Sequence, residues 1–384
     1  MPRLYFDYNA TTPLAPSVRQ ALQVALERNI KNPSSVHAEG REAKRLLDDC
    51  RRKTSGLLGC LPEEVCFLSG ATEANNTVIS SVWESRSQDR KSQGRSKIVT
   101  LLVEHDSIVR SLEQFQKKGA TVEVVGVNRY GDLDQEALER AVDERTLLVA
   151  LMASNNETGI QFPVEKVCHL AHERGALFHT DVACTVGKAP FDFGRCGADF
   201  ASLSAHKFYG PKGIGALLIR RGTKFSPVLV GGAQEFSRRA GTENLFGILG
   251  LSEALDFSLH GLERENERLT SLRRWLKEEL LRLYEWVVFH EHPTRQLPGA
   301  LNVAFPGFSG QTLLANLDLE GVAASHGSAC QSGSLEVSRV LLAMGIPEEE
   351  ALGSIRLSFG RMTTEGEVQE LLEIMKRVLR RMKK

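Results

Sequence analysis

One lysine is placed where it could bond covalently to a carbonyl compound. Lys207 lies in the segment 204–213, after Ser204 and His206 and before a turn rich in glycine and proline. An amine shielded from water can form a Schiff base, and the neighbouring hydroxyl and imidazole can bind a phosphate. A solvated surface lysine is the alternative that this segment alone leaves open.

A second segment could hold a phosphate group. Residues 69–74 follow an apolar run and open a helical pattern that includes Thr72. Free N–H groups at a helix N-terminus attract anions, and the threonine hydroxyl adds a further donor. An ordinary strand–turn–helix connection with a threonine near its cap remains the alternative reading.

Three more polar residues, His105, Asn155 and Asp181, stand at or just after the ends of apolar runs. Burying the carboxylate of Asp181 is costly unless a partner meets it, and the protonated ring nitrogen of a pyridine cofactor would be one. Backbone donors or an arginine are the alternatives. Because Thr72 and Lys207 hold equivalent positions, we predict that five polar side chains meet at one edge of a sheet.

Cys330 lies in a stretch of small residues, 325–334, with nothing large to pack against it. Exposed thiols are liabilities unless they are used, and nearby His326 could favour the thiolate. The sequence therefore indicates a reactive thiol, with an incidental cysteine as the alternative.

Other site patterns are weak. The phosphate-binding patterns GxGxxG and Walker A are absent, which leaves a dinucleotide or P-loop site without support. Cys168 and His172 share a helix face, but two ligands do not make a zinc site, so we predict no metal. The seven cysteines form no CxxC pair, and with no signal-peptide pattern at the start we expect a cytoplasmic protein.

Composition excludes some partners. The 384 residues carry 48 basic and 48 acidic side chains, and a net charge of zero argues against nucleic acid or an acidic membrane as a bulk partner. No apolar run approaches the ~18 residues that a membrane span needs. At about 150 residues per domain, the length suggests two domains.

The elements that must position these residues follow two patterns. Between about residues 60 and 221, seven β-rich runs alternate with helical patterns at 107–118, 133–142 and 164–174. Such alternation predicts an α/β fold whose mostly parallel sheet is covered by helices on both faces. The strand candidates are 65–69, 98–103, 122–127, 147–153, 176–181, 200–204 and 215–219.

After about residue 259 the pattern becomes that of a smaller α+β domain. We predict a large domain at 15–258 and a small domain formed by 1–14 and 259–384, which carries the segment 325–334. The helix candidates of this part are 262–283, 311–317, 337–343 and 365–382, and the strand candidates are 300–305 and 355–359.

As a set, these segments resemble the fold-type I, pyridoxal-phosphate-dependent cysteine desulfurases of the class V aminotransferase group, of which selenocysteine lyase is a close relative. The match runs in the family's order over nearly the whole chain. The matching segments are 7–12, 32–35, 69–73, 104–105, 155–159, 179–181, 204–215, 241–244, 327–330 and 354–358.

The resemblance implies that Lys207 bonds to pyridoxal 5'-phosphate, that His105 stacks on its ring and that Asp181 pairs with the ring nitrogen. It also implies a homodimer. The further residues implied to contact the cofactor are Ala71, Thr72, Asn155, Cys184, Ser204, His206 and Thr242 of the partner subunit.

The resemblance implies L-cysteine as substrate, its carboxylate held by Asn155 and Arg356, because a planar guanidinium matches a carboxylate. Cys330 would attack the substrate sulfur, which leaves alanine and a persulfide on Cys330. The expected partner is a sulfur acceptor, such as an iron–sulfur scaffold protein or a sulfur carrier for thio-cofactors or tRNA thiolation.

The chain departs from the family pattern at four residues. Cys184 replaces the usual glutamine, Ala233 a glycine, Phe236 a basic residue and His326 a small one. The alternatives are therefore a selenocysteine lyase, an aminotransferase that would give Cys330 no role, and a low-activity cofactor-binding sulfur relay or scaffold.

Overall fold

A computed structural model describes residues 3–86, 94–327 and 337–382. Within these ranges the chain forms strands and helices that we number in chain order. The strands are β1 (Leu4–Tyr5), β2 (Val65–Leu68), β3 (Lys97–Leu101), β4 (Thr121–Val125), β5 (Thr146–Ala150), β6 (Leu177–Asp181), β7 (Phe200–Ser204), β8 (Gly215–Ile219), β9 (Val288–Phe289), β10 (Ala300–Ala304), β11 (Val322–Ala323) and β12 (Ser354–Ser358). The helices are α1 (Pro16–Glu27), α2 (Ala38–Leu58), α3 (Ala71–Ser85), α4 (Asp106–Gln116), α5 (Gln135–Ala141), α6 (Val164–Glu173), α7 (Phe193–Cys196), α8 (Gln234–Ser237), α9 (Leu245–Leu259), α10 (Leu262–Leu283), α11 (Gly310–Leu319), α12 (Arg339–Ala343), α13 (Glu348–Leu352) and α14 (Glu365–Met382).

The central sheet has seven strands in the order β2-β8-β7-β6-β5-β3-β4. All pairs are parallel except those of β8, which runs antiparallel to both β2 and β7. The predicted α/β fold with a mostly parallel sheet is therefore confirmed. Gly215 lets β8 pack closely between β2 and β7, because a Cβ at this position would lie 2.4 Å from the Leu203 carbonyl oxygen and 2.7 Å from the Gly70 Cα.

Helices cover both faces of this sheet, as predicted. One face packs against α3 and α4 through residues such as Ile79 and Leu112, and the other against α2, α6 and α9. Buried strands of such sheets are apolar on both sides, which is why they read as continuous apolar runs. The run 147–153 extends beyond β5 because Leu151, Met152 and Ala153 stay buried after the strand ends.

The carboxyl-terminal part forms a three-stranded antiparallel sheet, β12-β10-β9, and the first strand pairs in parallel with β11. A separate apolar cluster lies here, which joins Leu4 and Phe6 to α10, α11 and α14. Val340 and Leu341 of α12 pack instead into the large cluster beneath the central sheet. The predicted domain boundaries stay a prediction.

Two other properties concern the described residues only. No group of three or more His, Cys, Asp or Glu side chains there could hold a metal ion. No single helix there is long and apolar enough to cross a membrane. Helices α9 and α10 reach the required length and apolar composition only when taken together, and they are bent by 69° relative to each other.

Candidate active site

A cavity of about 550 Å³ opens at the edge of the central sheet where the parallel strands end. Four of the five strand-end residues predicted to meet there line it, namely Thr72, His105, Asp181 and Lys207. Ala71 and Cys184, which only the resemblance implied, also line it, as do Ser204 and His206, which the segment around Lys207 had indicated. The fold thus assembles this site from connections that follow β2, β3, β6 and β7.

Asp181 presents a nearly buried carboxylate to the cavity. Its Oδ2 accepts a hydrogen bond from Asn75 Nδ2 at 2.7 Å, and its Oδ1 accepts one from the Ala183 N–H at 2.9 Å. Among the described residues, no lysine or arginine forms an ion pair with it. A carboxylate in such a place is suited to meet a cation from a ligand.

A chain of hydrogen bonds joins this carboxylate to His105. Asn75 Nδ2 also donates to Ser107 Oγ at 2.8 Å, and Ser107 Oγ lies 2.8 Å from His105 Nδ1. The chain fixes the imidazole at the start of α4, where His105 is also the N-cap residue. Sequence reasoning missed Asn75 and Ser107; Asn75 lies one helical turn after Thr72, which was the available signal.

Other residues that line the cavity are suited to an anion. The N-cap residue of α3 is Gly70, which provides no side-chain cap, and a Cβ there would lie 3.2 Å from Ser204 Oγ. Burial and the charges of Lys207, Lys212 and Lys188 lower the pKa of His206 to about 4. The helix N-terminus, the hydroxyl and the surrounding ammonium groups together favour a phosphate.

Lys207 lines the same cavity. It belongs to a single 3-10 turn that directly follows β7, and its Nζ donates to the Asn9 carbonyl oxygen at 2.6 Å. The amino-terminal segment is fastened to the same turn, since the Thr12 N–H donates to the His206 carbonyl oxygen at 2.8 Å. The contacts of residues 9–12 with this turn span almost 200 residues of sequence, so no local pattern indicated them.

Two residues predicted to contact the substrate lie behind the cavity wall. The Asn155 side chain accepts from the Glu157 and Thr158 N–H groups, and among the described residues it is Asn156 that lines the cavity. Arg356 is fully buried and donates to Asp7 Oδ1 at 2.7 Å and to the Asn156 carbonyl oxygen at 3.0 Å. Their roles stay predictions.

Two further predicted residues lie outside this cavity. Thr242 is exposed on the surface of the chain, and its predicted place in the site of a partner subunit stays a prediction. Cys330 lies outside the described residues.

The described residues fit pyridoxal phosphate. Asp181 offers a carboxylate to the ring nitrogen, the start of α3 with Ser204 and His206 offers a phosphate pocket, and Lys207 lines the same cavity. The Asp181 carboxylate, which pairs with no lysine or arginine in the described part of the chain, is the observation that decides the fit.

Known proteins resemble this chain over its length. Residues 4–371 match the family described as aminotransferase class-V. A protein named cysteine desulfurase IscS from Dictyoglomus turgidum is 39% identical over 380 residues, which cover 99% of this chain and 95% of that protein. A cysteine desulfurase from Gluconacetobacter diazotrophicus is 41% identical over 387 residues, which cover 100% and 95%.

Solved structures agree with this likeness. A structure described as a NifS-like protein superposes with a TM-score of 0.91 at 35% identity, over 98% of this chain and 99% of that one. A structure of SspA in complex with cysteine superposes with a TM-score of 0.80 at 28% identity, over 92% and 98%.

Proposed function

The chain belongs to the class V aminotransferase family, and we propose that it is a pyridoxal-phosphate-dependent cysteine desulfurase that converts L-cysteine to L-alanine. The observation that carries this function is a single cavity lined by Lys207, by the Asp181 carboxylate and by residues suited to a phosphate. Relatives named cysteine desulfurase cover almost the whole chain, which supports this activity over plain amino transfer.

When bound, pyridoxal phosphate supplies an electron sink for bond breaking at the α-carbon of an amino acid. Asp181 would hold the ring nitrogen, and its two neutral donors keep the carboxylate oriented without competing for its charge. His105 would face the ring, held by Ser107.

Lys207 has two tasks on this proposal. Its Nζ would hold the cofactor in the resting enzyme, and as a free amine it would accept the proton from the substrate α-carbon. The Asn9 carbonyl oxygen, 2.6 Å from Nζ, gives the free amine a fixed position next to the site.

Arg356 would bind the substrate carboxylate. Its guanidinium is held by Asp7 and by the Asn156 and Gly327 carbonyl oxygens, while its Nε is buried and has no hydrogen-bond partner among the described residues. An unsatisfied buried donor beside the cavity wall is suited to an incoming anion.

Cys330 would accept the sulfur. Its thiolate attacks the sulfur of the substrate, the bond between that sulfur and the β-carbon breaks, and the electron pair stays with the carbon fragment, which takes up protons and leaves as alanine. The extra sulfur then remains on Cys330 as a persulfide. This assignment rests on the sequence alone, since Cys330 lies outside the described residues.

The partners follow from the same proposal. A sulfur acceptor, such as an iron–sulfur scaffold protein or a sulfur carrier, would collect the persulfide sulfur in the cytoplasm, and the name IscS of one relative supports iron–sulfur assembly. A homodimer is supported by the exposed apolar side chains of Val228, Leu229 and Val230, which lie upstream of Thr242.

Alanine release from L-cysteine and from L-selenocysteine, in the wild type and in Cys330→Ser, tests the proposal. We expect the wild type to release alanine from both substrates and the variant to lose the activity on cysteine while keeping the visible band of the cofactor. Full cysteine activity in the variant would contradict the persulfide mechanism. Activity confined to selenocysteine would indicate a lyase, and a cofactor band without turnover would indicate a scaffold.

A further inference from the structure

The amino-terminal segment 7–9 contacts three cationic side chains of the site. Asp7 Oδ1 accepts from Arg356 at 2.7 Å, and the Asn9 carbonyl oxygen accepts from Lys207 Nζ at 2.6 Å. The third cation is Lys188, whose Nζ donates to Asn9 Oδ1 at 2.8 Å. Asn9 therefore holds one lysine with its backbone and another with its side chain.

The turn after β6 places Lys188 there. The Lys188 N–H donates to the Thr185 carbonyl oxygen at 3.0 Å, and Gly187 has a φ of 75°. A Cβ on Gly187 would lie 2.8 Å from the Ser258 side chain and 2.9 Å from that of Phe208. Glycine thus lets the turn pack closely beneath the active site, with the Lys188 amine directed at Asn9.

Asn9 depends on several contacts for its position. It is 2% exposed, and its N–H donates to Ser358 Oγ at 2.9 Å. Lys188 donates to Asn9 Oδ1 and, at 3.2 Å, to the Tyr8 carbonyl oxygen. Loss of the Lys188 amine would leave both acceptors without this donor, which costs free energy in a buried place and favours a shift of the segment.

We propose that Lys188 is a positioning residue for Lys207, because it fixes Asn9 and with it the carbonyl oxygen that receives the Lys207 amine whenever that amine is not bonded to the cofactor. This inference rests on the proposed function, in which Lys207 alternates between cofactor and free amine. Nothing in the mechanism above requires Lys188 to touch the substrate.

The charges around Lys188 agree with this role. Burial, together with the charges of Lys207 and Arg356, lowers the pKa of Lys188 to about 8, while Cys184 and Asp7 act in the opposite direction. The amine therefore loses its charge just above neutral pH, and its hydrogen bond to Asn9 weakens as the pH rises through about 8.

The test compares Lys188→Met with Asn9→Ala, which keeps the backbone carbonyl but removes Oδ1, the nearer of the two acceptors of Lys188. One readout is the rate at which the visible band forms when cofactor-free protein is mixed with pyridoxal phosphate; the other is kcat and KM for L-cysteine. We expect both variants to slow band formation and kcat by about tenfold, since small displacements near reacting groups are costly. KM should stay unchanged, and Lys188→Arg should recover part of the loss.

The double variant is the decisive comparison. If Lys188 acts through Asn9, Lys188→Met combined with Asn9→Ala will be no slower than either single variant. Additive losses would overturn the proposal, as would unchanged rates in Lys188→Met. A rise in KM at constant kcat would assign Lys188 to the substrate and would also overturn it.

Lys97→Met is the matched control. Lys97 is also a poorly exposed lysine, but it lies at the start of β3, at the opposite edge of the sheet, and pairs with Glu123 and Asp143. An equal loss in this control would show a general effect of removing a buried lysine and overturn the proposal. Band formation does not require turnover, so it tests Lys188 even if the wild type released no alanine.

Discussion

Asn75 Nδ2 lies 2.7 Å from Asp181 Oδ2, and the two side chains come from parts of the chain that are 106 residues apart. Asn75 is completely buried, so this donor has no water to exchange with. A neutral amide orients the carboxylate without neutralising it. The negative charge of Asp181 therefore remains available to a cationic ring, which is what an electron-sink cofactor requires.

Asp181→Asn should lower kcat for L-cysteine on the order of 100-fold or more, because an amide cannot stabilise the positive ring nitrogen as a carboxylate does. The visible spectrum of the bound cofactor should change as well. Asp199→Asn is the control, since Asp199 accepts hydrogen bonds from the Phe178 N–H and from His172 near the opposite end of β6. Equal activities of the two variants would contradict the role of Asp181.

Cys184→Gln should shift the visible band of the cofactor but preserve persulfide formation. Cys184 lines the cavity, and a thiol is a weaker hydrogen-bond donor than an amide. Absorbance spectra of the two proteins with bound cofactor make the measurement, and Cys66→Ala, a change at a buried cysteine in β2, should leave the band in place. An unchanged band in Cys184→Gln would remove Cys184 from the surroundings of the cofactor.

Glu104→Gln should remove a pH dependence of stability. Glu104 is 1% exposed, accepts from the Met152 N–H at 2.6 Å, and burial raises the pKa of its carboxyl from 4.5 to about 8. The folded chain then binds more protons than the unfolded chain between those values, so this group makes stability fall as the pH rises from about 4.5 to about 8.

Urea unfolding at pH 5 and at pH 8 measures this effect. Glutamine resembles the protonated acid, so the variant should gain roughly 3 kcal/mol of unfolding free energy relative to the wild type between pH 5 and pH 8. If the unfolding free energies of variant and wild type differed by the same amount at pH 5 and at pH 8, Glu104 would not titrate in this range.

Arg51→Met should destabilise the fold by about 3–5 kcal/mol, because it leaves the buried Glu235 carboxylate without its cation. The two side chains are 5% and 2% exposed and form hydrogen bonds of 2.6 and 2.8 Å. Arg52→Met is the control one residue along α2, where a 63% exposed side chain pairs with Asp49 at the surface. Denaturant titration measures the free energy of unfolding of both variants. Equal losses of stability in the two variants would contradict a buried ion pair between Arg51 and Glu235.

The sequence predicted the parts of this molecule that have a local signal. Buried strands of a parallel sheet are continuous apolar runs, and polar residues interrupt those runs where the strands end, so Thr72, His105, Asp181 and Lys207 could be placed at one edge. The two-residue strands β1, β9 and β11 give no period to detect. Helix α9 was missed because it packs between α1, α2 and the sheet and is apolar on most sides.

Contacts between distant segments were beyond sequence reasoning. Asn9 and Lys207 are 198 residues apart, and Lys188 and Asn9 are 179 residues apart. Phe236 was noted only as a departure from the family, whereas the structure places its ring 5.0 Å from the Arg51 guanidinium. Nothing in the structure explains Ala233.

One measurement tests the central claim directly. The holoenzyme is given one equivalent of L-cysteine, alanine is quantified, and peptides covering all seven cysteines are analysed for the mass of an added sulfur atom. We predict one sulfur on the Cys330 peptide for each alanine released, and none on the Cys184 peptide. Alanine released without sulfur on Cys330, or no alanine at all, would contradict the assignment of this chain as a persulfide-forming cysteine desulfurase.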